Sequence, residues 1–285
     1  MARGKTKNIK GQLFYDFLYL KNESEFDPGE IDRKLKSKAL KKYRRKTIRS
    51  GKLLEVEIFP IWDTKVLNRG AKDRLSSDKQ QRQNEKNRRK HVVRLVHCNF
   101  KEGDLWITVG YADGKEPKDD EQAYKNIKNY MDALRRVAKK EGTELKYIYV
   151  TERSSKGRYH HHIICNIKDR DLAEKRWKFG KYPQARRITE QDGSLEGLAN
   201  YITKEVKEKK NQKRYRTSKN LKQPMITIAD AAVGKRKAAE LAKNENDLIR
   251  YAVKEYDGVN FVSSKVLYSE FCDGTYIYMK MIRRE

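Results

Sequence analysis

The middle of the chain shows two hydrophobic spacings in turn, and they predict strands and helices. Short apolar or alternating runs predict strands at Leu105–Tyr111, Leu145–Thr151, Tyr159–Ile167 and Ala185–Thr189. Apolar residues three and four positions apart predict a helix after the first, third and fourth of these strands. The order β-α-β-β-α-β-α is typical of an antiparallel sheet with helices packed on it, which is an α+β fold.

The helices of this segment have recognisable ends. Asp119 or Asp120 is predicted to cap the first helix, because a carboxylate can accept the unpaired N–H groups of the first turn, and Gly142 is predicted to end it. A short helix is predicted at Asp169–Trp177 and a longer one at Leu195–Lys209. The sequence after the longer helix is strongly basic and is predicted to form a loop.

The flanking segments carry weaker patterns. Leu53–Phe59 predicts a short strand ended by Pro60, and the polar stretch Asp73–Lys90 predicts a helix. Beyond Pro224, the pattern predicts one helix and then a hairpin, at Gly234–Tyr251, Val259–Tyr268 and Thr275–Ile282. The predicted organisation is a basic N-terminal extension with a short strand and a helix (1–97), a central domain (98–224) and a small C-terminal extension of helix and hairpin (225–285).

The charge of the chain favours a polyanionic partner. Lysine and arginine number 67 against 40 aspartates and glutamates, which gives a net charge of +27. A surplus this large usually signals nucleic acid, although a basic protein without such a partner is the alternative. Basic stretches at Lys34–Lys52, Arg88–Arg94 and Lys207–Lys222 are predicted to grip a DNA backbone. The predicted DNA-binding residues are Lys41, Lys42, Arg44, Arg45, Arg88, Arg89, Lys213, Arg214 and Arg216.

Cysteine usage and hydropathy bear on the cellular setting. Cys98, Cys165 and Cys272 are scattered, so neither a disulfide framework nor a zinc finger is expected, and the predicted location is the reducing cytoplasm. No apolar stretch is long enough to span a bilayer, and the N-terminus lacks the apolar core of a secretory signal. A membrane is therefore not an expected partner.

Three consecutive histidines lie in one predicted strand. Because strand side chains alternate between faces, His160 and His162 share one face and His161 points the other way, where a hydrogen-bonded packing role is expected. Two imidazoles on one face can hold a metal ion, and Glu152 across the turn is the predicted third ligand. The alternative is a surface glutamate that pairs with Arg153 or Arg158. Imidazole suits several transition metals, whereas a carboxylate and a substrate phosphate suit Mg²⁺ or Mn²⁺, the predicted cofactors.

A tyrosine in the last predicted helix of the central domain is a candidate nucleophile. Tyr201 lies about 120° from the apolar stripe of its helix, and Lys204 and Glu205 follow it on the same side. A nearby cation favours the phenolate, which is the reactive form. The alternative is an exposed helix surface with an incidental tyrosine and lysine.

These motifs together resemble those of the rolling-circle replication initiator (Rep) proteins of plasmids and phages, members of the HUH endonuclease superfamily. The resemblance spans Leu105 to Pro224 and rests on the strand Leu105–Tyr111, the histidine strand from His160 to Cys165 and the helix segment from Tyr201 to Lys204. It implies a five-stranded antiparallel sheet of the HUH type (ferredoxin-like or RRM-like) in the central domain 98–224. It also implies site- and strand-specific nicking and joining of DNA, in which the 5′ phosphate becomes linked to the tyrosine and a 3′ hydroxyl primes synthesis.

Several departures and alternatives remain open. The central position of the histidine motif is itself histidine, and the helix has one tyrosine where some members have two. No GxxxxGK[ST] element is present, so a host helicase, together with a polymerase, is an expected partner besides single-stranded and origin DNA. A conjugative relaxase or a single-tyrosine transposase would share this chemistry, and a non-catalytic DNA-binding regulator is the alternative outside enzymes. A histidine-triad nucleotide hydrolase fits less well, because Ile164 occupies the next alternate position of the strand.

Overall fold

A computed structural model describes residues 40–62, 78–154, 156–180, 183–190, 195–202, 215–268 and 275–284. Within these ranges, the side chains of residues 40–41, 62, 78–85, 201–202 and 268 lie outside the description. The described chain is an α+β protein with two five-stranded antiparallel sheets and six helices. It divides into one compact unit from Arg89 to Pro224 and a second unit that combines the described residues up to Arg88 with those from Met225 onward.

The described residues form ten strands and six helices. The strands are β1 (Leu40–Ser50), β2 (Leu53–Trp62), β3 (Leu105–Gly110), β4 (Tyr147–Arg153), β5 (Tyr159–Cys165), β6 (Gln184–Arg187), β7 (Arg216–Thr217), β8 (Met225–Asp230), β9 (Val259–Tyr268) and β10 (Thr275–Arg283). The helices are α1 (Asp78–Asn99), α2 (Asp120–Lys140), α3 (Arg170–Lys175), α4 (Glu196–Ile202), α5 (Lys235–Lys243) and α6 (Glu245–Glu255).

The sheet of the central unit has the strand order β6-β3-β5-β4-β7, with every pairing antiparallel. This confirms the predicted five-stranded antiparallel sheet. The edge strand β6 was predicted, whereas the short edge strand β7 lies in a segment that the sequence predicted as loop. Strand β5, which carries the histidines, is central and pairs with β3 on one side and β4 on the other. A central position fixes its register from both sides.

One face of this sheet packs on helix α2. Asp119 caps the helix, as predicted, because its carboxylate accepts the N–H of Gln122, and Gly142 follows the end of the helix with a φ of 68°. The apolar stripe of α2 contributes Ile127, Tyr130 and Leu134 to a core that also receives the inward residues of β3, β4 and β5. The histidine strand is therefore set on a rigid, well-packed support.

The second sheet has the order β8-β1-β2-β10-β9 and joins the two ends of the described chain. The segments that the sequence predicted as separate N- and C-terminal extensions thus share one sheet. Strand β2 does not end at Pro60, because its pairing with β10 reaches only to Ile58, and beyond that point a missing N–H on that side costs no ladder bond. The predicted hairpin is confirmed as the β9–β10 pair.

The helical region before the hairpin consists of two helices rather than the one predicted for Gly234–Tyr251. Asn244 has extended backbone and caps α6 by accepting the N–H of Asn246, so the chain turns between α5 and α6. Leu241, Leu248 and Ala252 bury the apolar sides of both helices in the core of this unit. Among the helices of the described ranges, none is both long enough and apolar enough to cross a membrane.

Candidate active site

The faces of strand β5 divide the three histidines as the alternation predicted. His160 and His162 lie on the face away from the α2 core, and His161 lies on the core side. The neighbouring strands present matching positions, because Glu152 of β4 is directly opposite His160 and Thr108 of β3 is directly opposite His162. Residues directly opposite in antiparallel strands have Cβ atoms about 5 Å apart, so their side chains meet.

Glu152, His160 and His162 converge on one point. The Oε2 atom of Glu152 lies 3.3 Å from Nε2 of His160 and 3.8 Å from Nε2 of His162. One ligand atom from each residue lies within 4.8 Å of the others. Ligand atoms that bind a metal at about 2.0–2.2 Å, some 90–110° apart, lie roughly 3.0–3.5 Å from each other, so a small contraction of this group would match a coordination sphere. The group could hold a metal ion.

The second oxygen of the Glu152 carboxylate also indicates a place for a ligand. This Oε1 atom is buried and has no hydrogen-bond partner among the described residues, and the residue as a whole is 9% exposed. A buried, unsatisfied acceptor costs about 1–3 kcal/mol, more for a charged group, so such atoms are rare unless something binds them. The alternative role of Glu152 as a surface partner of Arg153 or Arg158 is wrong. Those arginines bind other carboxylates, namely Asp120 for the first and Asp113 and Glu116 for the second.

The site is closed on one side and open on another. The side chain of His162 is 8% exposed, whereas that of His160 is 26% exposed. Gly110 is directly opposite His160 on β3, and a Cβ at Gly110 would meet no atom of the described residues within 4 Å. A glycine inside a strand often marks a place where a ligand approaches closely. The gap beside His160 therefore leaves room for a substrate group next to the histidine.

His162 is held through its other ring nitrogen. Nδ1 of His162 lies 3.1 Å from the hydroxyl oxygen of Thr108, which also accepts the indole N–H of Trp106 at 3.2 Å. The Trp106 ring stacks on the His162 ring at a centroid distance of 5.4 Å and an angle of 28°. Both residues belong to the first motif strand, but the sequence pattern predicted no role for either. The available signal was their spacing of two, which puts them on one face of that strand.

His161 is enclosed in the core and satisfied on both nitrogens. Nδ1 lies 2.8 Å from the hydroxyl of Thr151, and Nε2 lies 3.0 Å from the hydroxyl of Tyr111. Burial, with smaller contributions from the adjacent histidines, lowers the pKa of His161 to about 3, so the ring is neutral at pH 7. The Trp177 ring packs against it edge to face. This confirms the expected packing role.

Comparison with protein families gives a match to the replication-associated protein ORF2 family over residues 104–215. The matched segment runs from the start of β3 to the edge of β7 and contains the Glu152–His160–His162 group. We call residues 104–215, which are similar to this family, the Rep-like domain. The match supports the predicted resemblance to Rep-type initiators and a role in DNA replication. Comparisons with curated proteins and with solved structures gave no match.

The tyrosine helix of the Rep-like domain is described in part. Tyr201 lies in the last turn of α4, which ends at Ile202 within the described residues. Leu195 and Ala199 are buried, as the predicted apolar stripe requires. The Tyr201 side chain, Lys204 and Glu205 lie outside the described residues, so their catalytic roles stay predictions.

The predicted DNA-binding residues fall into different settings. In the second unit, Arg44 is buried and donates two hydrogen bonds to the carboxylate of Asp230, and Arg45 pairs with Glu255. Lys42 also lies 3.2 Å from Asp230. These contacts pair the three residues with carboxylates of their own unit. DNA contact by them stays a prediction.

The remaining predicted DNA-binding residues are Lys41 on β1, Arg88 and Arg89 on α1, Arg216 on β7, and Lys213 and Arg214. Arg216 on β7 lies over the ring of Tyr124 at 3.9 Å and donates to its hydroxyl. Arg88 and Arg89 are half-buried on α1. The side chain of Lys41 and the whole of Lys213 and Arg214 lie outside the description. No pattern in the sequence separated the arginines that pair internally from those on the surface.

Proposed function

We propose that the protein is a metal-dependent HUH-type endonuclease that nicks and rejoins DNA to initiate rolling-circle replication. The observation that carries this proposal is the convergence of Glu152, His160 and His162 on one face of a Rep-like domain. Their chemistry, two imidazoles and one carboxylate on a rigid sheet, suits a divalent ion that must also bind a phosphate, so Mg²⁺ or Mn²⁺ is the proposed cofactor.

The residues of the chain then have defined roles. Glu152, His160 and His162 hold the ion, which when bound supplies Lewis-acid polarisation of the scissile phosphate. The phenolate of Tyr201 attacks that phosphorus in line. A bond forms between the tyrosine oxygen and phosphorus, the bond to the 3′ oxygen breaks, and the 3′ oxygen takes a proton to become the priming hydroxyl. Lys204 favours the phenolate and balances the charge on the phosphate.

The second half of the cycle must release the covalent 5′-phosphotyrosine. The Rep-like helix carries one tyrosine in its motif, so a second tyrosine four residues away is not the route. Glu205, one turn beyond Tyr201, would act as general base for a water that hydrolyses the phosphotyrosine. The competing role is an ion pair with Lys209, worth a few tenths of a kcal/mol. Glu205→Gln is therefore expected to nick normally and accumulate the adduct.

A DNA-bound intermediate gives the decisive experiment. The full chain is incubated with a pool of single-stranded oligonucleotides and Mn²⁺, and a denaturation-resistant adduct is mapped by mass spectrometry. We expect the adduct on Tyr201 and its complete loss in Tyr201→Phe, with wild-type yield in Tyr147→Phe, a half-buried tyrosine on the opposite face of β4. An absent adduct with retained DNA affinity would favour the non-catalytic regulator.

The DNA partner is proposed from the charge of the whole chain. With a net charge of +27, binding to non-specific single strands should weaken steeply with salt, because lysines and arginines displace condensed counterions. The slope of log affinity against log salt counts the phosphate contacts. An affinity that stays constant between 50 and 200 mM salt, a range over which several contacts would cost roughly 10³-fold or more, would contradict this role. Strand separation and synthesis are assigned to a host helicase and a polymerase.

A further inference from the structure

We propose that Thr108 is a positioning residue for the metal ligand His162, and that it aims the Nε2 atom of that histidine at Glu152. The proposal rests on the proposed metal site. Thr108 lies on β3 directly opposite His162. Together with Trp106 it would orient the histidine ring, a role that the sequence motifs did not predict.

The position of the proton on the His162 ring determines which nitrogen can bind a metal. A neutral imidazole carries one N–H and one lone pair, and a metal takes the lone pair. Nε2 is the nitrogen that faces Glu152, so for metal binding the proton must sit on Nδ1. Nδ1 lies 3.1 Å from Thr108 Oγ1, so the Nδ1–H then donates to the threonine oxygen. By accepting this hydrogen bond, Thr108 stabilises the tautomer in which the Nε2 lone pair faces the Glu152 carboxylate.

The indole of Trp106 holds the Thr108 oxygen in place. Its N–H can only donate, and it donates to the same Thr108 oxygen at 3.2 Å. A hydroxyl oxygen has two acceptor sites, so the indole and the imidazole can both donate to it. The indole bond fixes where the Thr108 oxygen lies, and the stacked Trp106 ring limits rotation of the His162 ring. The Trp106 indole thus holds the Thr108 hydroxyl, and that hydroxyl orients the His162 imidazole towards the proposed metal.

A matched control lies on the other side of the same strand. Thr151 on β4 is directly opposite His161, and its hydroxyl lies 2.8 Å from Nδ1 of that histidine. The two threonine–histidine pairs have the same chemistry and the same nitrogen, but His161 faces the core and not the Glu152 group. Removing the Thr151 hydroxyl should therefore affect the stability of the core, through the lost hydrogen bond, and leave metal binding unchanged.

The experiment measures Mn²⁺ binding to the full chain without DNA, by the free-ion signal in electron paramagnetic resonance. Thr108→Val removes the acceptor at nearly constant shape, and Thr108→Ser restores it. We expect Thr108→Val to weaken Mn²⁺ binding about 10–100-fold, the usual effect of losing an outer partner of a metal-bound histidine. Thr108→Ser should lie within about threefold of wild type, and Thr151→Val should match wild type.

The outcomes separate this inference from the proposed function. Thr108→Val with wild-type affinity, while His162→Ala has lost binding, overturns the role of Thr108 and leaves the metal site intact. Wild-type protein that binds no Mn²⁺ overturns both. Equal losses in Thr108→Val and Thr151→Val would show a general packing effect and would also overturn the assignment.

A measurement on the unaltered protein covers the case in which a variant fails to fold. Two-bond ¹H–¹⁵N correlation spectra of metal-free protein, labelled at histidine and recorded at pH 8, report which ring nitrogen carries the proton. We expect His162 as the Nδ1–H tautomer, assigned by its absence from the spectrum of His162→Ala. An Nε2–H tautomer would overturn the proposal without any change to Thr108.

Discussion

The two faces of strand β5 put neighbouring histidines to opposite uses. His161 has a hydroxyl on each ring nitrogen, lies fully buried among aromatic rings and stays neutral because burial lowers its pKa to about 3. His162, one residue on, has a hydroxyl on Nδ1 and presents Nε2 towards the Glu152 carboxylate. The same residue type, shifted by one position, changes from a packing group to a candidate ligand.

The difference lies in what each face supplies to the second ring nitrogen. On the core face Tyr111 supplies a hydroxyl, and burial raises the pKa of Tyr111 to about 12, so it remains protonated. On the other face the position opposite His160 is Gly110, and the acceptor Oε1 of Glu152 is buried with no hydrogen-bond partner in the described ranges of the chain. A face on which buried polar atoms have hydrogen-bond partners stabilises the fold. Where a buried polar atom lacks such a partner, a ligand can provide one.

The largest expected effect comes from changing the ligand face. Glu152→Gln, His160→Ala and His162→Ala should each weaken Mn²⁺ binding by at least about 100-fold, beyond the roughly 10–100-fold typical of an outer partner. Glu152→Gln should also stabilise the metal-free protein slightly, because a neutral amide replaces a buried carboxylate with an unsatisfied oxygen. Calorimetric titration and metal-free urea unfolding measure the two effects. Unchanged Mn²⁺ affinity in Glu152→Gln would remove the carboxylate from the site.

The matching change on the core face should act on stability instead. His161→Ala removes a buried ring and leaves the hydroxyls of Thr151 and Tyr111 without their partner, so we expect a loss of about 2–4 kcal/mol in the free energy of unfolding. Mn²⁺ affinity of the folded protein should stay within a few-fold of wild type. If His161→Ala proved more damaging to metal binding than His160→Ala, the division of labour between the faces would be contradicted.

The pH dependence of stability sharpens the same comparison. His161 has a folded pKa of about 3 and an ordinary unfolded value of 6.5, so between these pH values the unfolded chain binds a proton that the folded chain does not. Its contribution to stability is fully present above pH 6.5 and is lost as the pH falls towards 3. From pH 7 to pH 5 the loss is roughly 2 kcal/mol, at about 1.4 kcal/mol per unit below 6.5.

His161→Gln provides the control for this titration, since an amide offers hydrogen bonds but no titratable group. Urea unfolding of both proteins at pH 5, 6 and 7, without metal, should show the smaller pH slope in the variant. Equal slopes would mean that another group dominates the acid sensitivity of the domain.

The smallest expected effect concerns the gap beside His160. Gly110→Ala places a methyl group where no atom of the described part of the chain lies within 4 Å. The methyl group should therefore fit and raise the free energy of unfolding by about 0.5–1 kcal/mol, as alanine replaces glycine in a strand. Mn²⁺ affinity should be unchanged. Gly110→Leu, which extends further into the gap, should lower the adduct yield on single-stranded DNA. A wild-type yield in Gly110→Leu would show that substrate does not use this gap.

Features that depend on neighbouring residues were predicted correctly from the sequence. The period of two in β5 divided the histidines correctly, and the capped, striped helix after Asp119 was found at its place, because both signals depend only on neighbouring residues. The pattern predicted one helix where two helices meet at Asn244. It also predicted that Pro60 ends strand β2, although the strand continues through it. In both places the deciding interaction lies outside the pattern itself.

By itself, the sequence determined the fold class of the Rep-like domain, the face of each histidine and the candidacy of Glu152, since alternation and motif order are properties of the chain alone. Only the tertiary structure decided that Glu152 stands opposite His160, that Thr108 meets His162, and that strands from both ends of the described chain form one sheet. It also assigned Arg44 to Asp230, 186 residues away along the chain. Such pairings depend on register and packing between distant segments, and no periodic signal in either segment specifies its partner.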